Sequence, residues 1–145
     1  MAATDDPYRL QRFVDAQDRR DTYSRVLAEL RRGRKTTHWM WFVFPQFEGL
    51  GRSSTAREYA ITCLAEACSY LEHPVLGARL VECSRLIAEA AVPSVDSVFG
   101  GIDTMKLRSS MTLFARVPDA DPVFAAVLDR WFGGRPDPAT VALLD

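Results

Sequence analysis

Three Asp-Pro pairs, Asp6-Pro7, Asp121-Pro122 and Asp137-Pro138, constrain this chain more than any other feature, because each marks a place where a helix starts. Aspartate accepts a hydrogen bond from the free N–H groups of a first helical turn, and proline at the first helical position has a suitable φ and no N–H to waste. From Pro7, the residues Leu10, Phe13, Val14 and Gln17 fall three or four apart and predict a helix to about Ala16. Asp21 opens a second helix with Tyr23, Val26, Leu27 and Leu30 on its inner face and Gly33 as its stop. Ser53 or Ser54 caps a third that runs to about Leu71; His73-Pro74 ends it and starts a fourth to about Ala91, closed by Pro93. A long helix follows Asp103, another runs from Val123 to Phe132 and stops at Gly133-Gly134, and a short one covers Pro138 to Leu144. The expectation is a mainly α fold: a single compact domain over residues 1–145, of about seven helices. Only His38-Trp-Met-Trp-Phe-Val-Phe44 resists, since its apolar run fits neither period; it reads as a short strand or a buried helical turn.

Composition agrees with a packed globule. At 48% hydrophobic and 26% charged residues the chain is neither disordered nor low in complexity. With 18 Lys+Arg against 19 Asp+Glu there is no bulk attraction to nucleic acid or to an anionic membrane. The start MAATDDPYRL lacks a cationic segment followed by an apolar one, and no apolar run approaches the roughly 18 residues of a bilayer span, so a cytoplasmic protein is expected. Cys63, Cys68 and Cys83 sit among apolar helical neighbours and read as free, buried thiols. Two histidines and widely spaced cysteines provide no zinc pattern, and neither a metal nor a cofactor is expected.

Two stretches concentrate unlike chemistries. In the first, Lys35, His38, Trp39, Trp41 and Gln46 are followed by Gly49-Leu-Gly-Arg52-Ser53-Ser54, which reads either as an anion cradle at a helix N-terminus or as a plain turn with a serine cap. Tryptophan beside histidine forms a slot for a flat ligand with a proton carrier at hand, although such aromatics also fill cores. Arg31, Arg32, Arg34 and Lys35 are cations at a helix end that either complement its dipole or meet an anion. In the second stretch, Phe99-Gly100 precede Asp103, Lys106 and Ser110, spaced by three and four on one helical face, with Ser109 beside them.

Tyr8-Arg-Leu-Gln-Arg-Phe13, Lys35, His38-Trp-Met-Trp-Phe42, Phe44-Pro-Gln46, Gly49-Leu-Gly51, His73-Pro-Val-Leu-Gly77, Phe99-Gly100, Asp103, Lys106-Leu107 and Ser109-Ser-Met-Thr-Leu-Phe114 resemble an uncharacterised bacterial family of about this length, described as mainly α-helical. Its members are sometimes labelled calpastatin, a name that belongs to a long, largely disordered inhibitor, whereas this composition is that of a compact globule. Thr37-His38-Trp39 and Asp96-Ser-Val-Phe99-Gly100 bear a fainter resemblance to the NADAR (YbiA-like) superfamily, which implies N-glycosidase chemistry on ADP-ribose-type compounds. Thr37 stands where that superfamily has an acidic residue, so a mechanism needing a carboxylate there recruits Glu48, Asp96 or Asp103.

The expected site is therefore a pocket for a nucleotide-like small molecule. His38, Asp103 and Lys106 are the candidate catalytic groups, and Lys35, Trp39, Trp41, Gln46, Arg52, Ser53, Phe99, Gly100, Ser109 and Ser110 the candidate binding groups. The alternative is a non-enzymatic interaction module or homo-oligomer that uses the same residues as an interface.

Overall fold

The helix-start signals operate in the computed structural model, which describes residues 5–145. Met1–Thr4, the beginning of the segment read as leaderless, lie outside the described residues. Asp137 caps through its side chain, accepting from the Thr140 N–H at 3.2 Å, and the helix Pro138–Leu144 follows directly. Asp6 also caps, accepting from the Leu10 and Gln11 N–H groups at 2.7 and 3.0 Å. The helix it starts begins only at Gln11, because Arg9 adopts a left-handed conformation and inserts a turn after Pro7.

Nine α-helices follow one another among the described residues: α1 Gln11–Asp18, α2 Thr22–Arg32, α3 Met40–Val43, α4 Ser54–Glu58, α5 Leu64–Glu72, α6 Leu76–Ala88, α7 Asp96–Ala115, α8 Val123–Phe132 and α9 Pro138–Leu144. A 3₁₀ turn, Arg19–Asp21, joins the first two. Two of the nine, α3 and α4, are single turns, so the longer helices match the expected mainly α architecture closely. No helix among the described residues is long and apolar enough to cross a membrane.

The structure decides the open reading of segment 38–44 for the helical turn and redraws two of the expected helices. Segment 38–44 holds the helical turn α3 and not a strand: Trp39, Met40, Val43 and Phe44 face inward, whereas Trp41 and Phe42 stay half-buried. The helix expected from Ser53 to Leu71 is two, α4 and α5, because the chain extends between them so that Ile61 exchanges backbone hydrogen bonds with the 46–48 segment. The helix expected after Asp103 begins at Asp96 and kinks at Gly100 (φ 77°, ψ 170°), a conformation open essentially to glycine alone. Gly33 plays the anticipated role, ending α2 in the left-handed conformation with its N–H on the Glu29 and Leu30 carbonyls.

The core is an aromatic chain running through the molecule. Phe13 of α1 meets Tyr70 of α5 edge-on at 5.1 Å, Tyr70 meets Phe114 of α7 at 5.3 Å, and Phe114 meets Phe124 of α8 at 5.9 Å. A second group, Trp39, Phe44 and Phe99, with centroids 6.1–6.5 Å apart, fastens α3 to the first turn of α7. Buried aromatic pairs of this kind contribute about 0.5–1.5 kcal/mol beyond their area. The three cysteines are free, and burial pushes the Cys83 thiol up to about 12.

Candidate functional site

The cleft is built from the loop after α2, from α3 and from the kinked start of α7. Past Gly33 the chain leaves α2 and must satisfy its backbone N–H groups without a helix, and Glu29 supplies the acceptor. Its carboxylate is 2% exposed and accepts from the Thr36 N–H (2.7 Å), the Thr37 N–H (3.1 Å), the Thr37 hydroxyl (2.5 Å) and the Trp39 indole N–H (3.0 Å). Burial pushes the Glu29 carboxyl up, but these donors together outweigh burial and lower it to about 2. One buried anion thus fixes residues 36–39.

Lys35 is fixed from the other side. Its N–H donates to the Val98 carbonyl at 2.9 Å, which ties the loop to the first turn of α7. Its side chain is only 7% exposed; Nζ lies 2.9 Å from Asp103 Oδ2 and 5.2 Å from the centre of the Trp39 ring. Lys106, one turn further along α7, places Nζ 3.7 Å from Asp103 Oδ1 and 4.9 Å from the Trp41 ring. Two ammonium groups therefore share one carboxylate, and the cluster carries a net positive charge. The Gly100 kink opens the cleft: a Cβ at Gly100 or Gly101 would meet no other atom within 4 Å.

These groups surround a volume of about 400 Å³, within the range of small-molecule sites. Of the candidate residues, Lys35, His38, Trp41, Phe99, Gly100, Asp103 and Lys106 line it, joined by Met40, Gly101 and Ile102. His38 is exposed.

The remaining candidates stand elsewhere. Trp39 is a core residue whose indole N–H is spent on Glu29, so it touches the cleft only through Lys35. Gln46 borders a separate narrow depression that Trp41 and Tyr59 also line. Ser53 has its hydroxyl occupied as the cap of α4, accepting from the Ala56 N–H at 3.0 Å, and Arg52 is exposed outside the cleft. The 49–54 loop is accordingly a capped turn that contributes nothing to the cleft; Gly49 and Gly51 border the narrow depression with Trp41 instead. Ser109 donates to Asp137 Oδ2 at 2.9 Å, and the Asp137 N–H donates to the Thr112 hydroxyl at 2.8 Å, which seals α9 onto α7. Ser110 is fully buried one turn behind Lys106, without a hydrogen-bond partner.

Glu29 is the residue that spacing failed to single out. Its only signal is a carboxylate three positions after Val26, on the inner face of α2, where an unpaired acid would be costly. Of the three acids offered as substitutes for the missing one at Thr37, Asp103 alone lines the cleft, while Glu48 borders the narrow depression and Asp96 is exposed. Among the described residues no group of three or more His, Cys, Asp or Glu side chains is placed to hold a metal ion.

The helical fold sets a lysine-bracketed carboxylate beside a half-buried indole, and the chain belongs to the family described as "Protein of unknown function (DUF1810)", which matches residues 7–144. Among solved structures it is similar to the conserved hypothetical protein Rv1873 from Mycobacterium tuberculosis, at 52% identity and a TM-score of 0.92 over 96% of this chain and 98% of that one. No curated protein matches.

Proposed function

We propose that the cleft binds a nucleotide-like small molecule of the ADP-ribose type and hydrolyses its N-glycosidic bond. The observation that carries this reading is the pairing of Lys35 and Lys106 around Asp103, with the Trp41 ring beside them, in one cavity. Ammonium groups bind phosphate oxygens through charge-assisted hydrogen bonds, an indole stacks on a flat ring, and a carboxylate accepts from ribose hydroxyls. For the hydrolysis, Asp103 takes a proton from a water that attacks the anomeric carbon. The C–N bond breaks as the C–O bond forms, and His38 returns a proton to the departing base. The fainter NADAR resemblance of Thr37-His38-Trp39 points to the same chemistry.

Lys106 is partly exposed, so its removal tests binding without a large loss of stability. Lys106→Ala is expected to weaken ADP-ribose binding about 10–100-fold, the loss of one or two charge-assisted contacts, with the melting temperature little changed. Titration calorimetry beside a thermal melt measures both. If millimolar ADP-ribose, NAD and purine nucleotides leave the wild-type melting temperature unmoved, the reading falls.

A second reading is favoured by Ile102, which lines the cleft, and Met105, three residues on in α7, which are 74% and 70% exposed. Apolar side chains so placed suit an interaction module or homo-oligomer. That reading expects concentration-dependent assembly by analytical ultracentrifugation, reduced by Met105→Glu, and a strict monomer across micromolar concentrations opposes it.

A further inference from the structure

Trp41 borders more than the cleft. The same indole is a wall of a second, more open depression of about 480 Å³, whose other walls include Phe42, Tyr59, Thr55, Glu58 and Arg19. We infer that this depression is a second subsite of the same binding site, and that the ligand is bipartite: its phosphate-bearing half lies in the cleft on Lys35 and Lys106, and a neutral, ring-bearing half crosses Trp41 onto Phe42 and Tyr59. This rests on the cleft being the small-molecule site proposed above.

The first support is that the aromatic walls are held from behind. The Phe42 and Tyr59 rings lie 5.5 Å apart at 59°, and Tyr59 also packs on core Phe13 at 5.7 Å. Gln17, 2% exposed, donates its side-chain amide to the Phe42 carbonyl at 2.7 Å. The Arg12 guanidinium brackets Tyr59, donating to the Glu58 carbonyl at 2.8 Å and the Ala60 carbonyl at 3.0 Å, while Glu66 anchors it at 3.2 Å. Two interior polar side chains therefore spend their hydrogen bonds on the backbone that presents these rings. Rigid aromatic walls lower the ordering cost of binding.

The second support is a division of chemistry. The cleft sets two ammonium groups against one carboxylate, which suits a phosphate-bearing group. The outer depression sets one cation and one carboxylate among three aromatic side chains, with Ser54 and Thr55, which suits a heterocycle with a hydroxylated sugar. Neither volume reaches the middle of the usual range for small-molecule sites, whereas a ligand laid across Trp41 uses both. The matching ligand class is two ring-bearing groups joined through phosphate, with the scissile N-glycosidic bond on the sugar held in the cleft beside Asp103 and His38, so that ADP-ribose stands in for the cleaved product.

Calorimetric titration of the full chain with ADP-ribose and with ribose 5-phosphate tests this. The wild type is expected to bind ADP-ribose at least about tenfold more tightly. Thr55→Trp, which fills the outer depression, is expected to bring ADP-ribose down to the level of ribose 5-phosphate and leave ribose 5-phosphate unchanged. Glu58→Gln, on the exposed side of α4, is expected to weaken ADP-ribose about fivefold or more with ribose 5-phosphate again unchanged, and it serves if Thr55→Trp fails to fold. If ADP-ribose still binds and neither variant alters it, the second subsite is refuted and the cleft reading stands. If neither ligand binds the wild type, both are refuted.

Discussion

Glu29→Ala is expected to cost about 3–5 kcal/mol of folding stability and to lower the melting temperature by about 10 °C or more. The substitution strips the acceptor from the N–H groups of Thr36, Thr37 and the Trp39 indole at once, and the indole donor is left unpaired in the buried interior. Glu29→Gln is expected to be far milder, about 1–2 kcal/mol, because an amide oxygen placed at Oε1 keeps those three donors and the Thr37 hydroxyl can turn to accept from the new NH₂. The pH dependence follows from the lowered carboxyl. With a folded value of about 2 against an ordinary 4.5, the contribution of Glu29 is fully present above about pH 4.5 and is lost as pH falls through that window toward 2. Chemical denaturation of wild type and Glu29→Gln at pH 7 and pH 3 measures it: the gap between them is expected to narrow in acid. An unchanged gap, or equal losses for Ala and Gln, contradicts the assigned network.

The same carboxylate shows what spacing alone conveys. Helix starts were legible where a side chain acts on its own neighbours: Asp137 caps α9 as its position before proline implies, and Gly33 stops α2. Helix extents were less legible, because distant groups decide them. The guanidinium of Arg130 donates to the Ala88 and Ala90 carbonyls, so α6 ends short of Ala91. The Ile61 backbone pairs with residues 46–48, so the helix expected through Leu71 is split. The candidate site was legible as a collection of unlike chemistries: Lys35, His38 and Trp41 come from one stretch, and Phe99, Asp103 and Lys106 from the other. The roles inside each stretch were not. Trp39 and Trp41 stand two positions apart across the start of α3, enough to send one ring into the core and leave the other half-buried along the cleft. Ser109 shares its stretch with Asp103, yet its hydroxyl turns to a carboxylate 28 residues away, which no local pattern encodes.

Asp103→Ala is expected to have the second large effect, and its sign depends on what is measured. Lys35 keeps a side chain only 7% exposed, and the Asp103 carboxylate is its ion-pair partner at 2.9 Å. Removing one partner of such a pair leaves an uncompensated buried charge, a cost of about 2–4 kcal/mol here because Asp103 itself is partly exposed. The double variant Lys35→Met with Asp103→Ala is expected to recover much of that loss, and a double-mutant cycle is expected to show a coupling of about 1–3 kcal/mol. Binding moves the other way. With the carboxylate gone, Lys35 and Lys106 repel each other unless an anion enters, so inorganic phosphate is expected to raise the melting temperature of Asp103→Ala by more than that of wild type. Under the proposed hydrolysis the same variant loses turnover while keeping or gaining affinity for the phosphate-bearing half of the ligand, since the proton acceptor and the phosphate-binding groups are different residues. Equal stabilisation of both proteins by phosphate would show that the two ammonium groups do not act together on an anion, and the cleft would then have to be explained by its apolar walls alone.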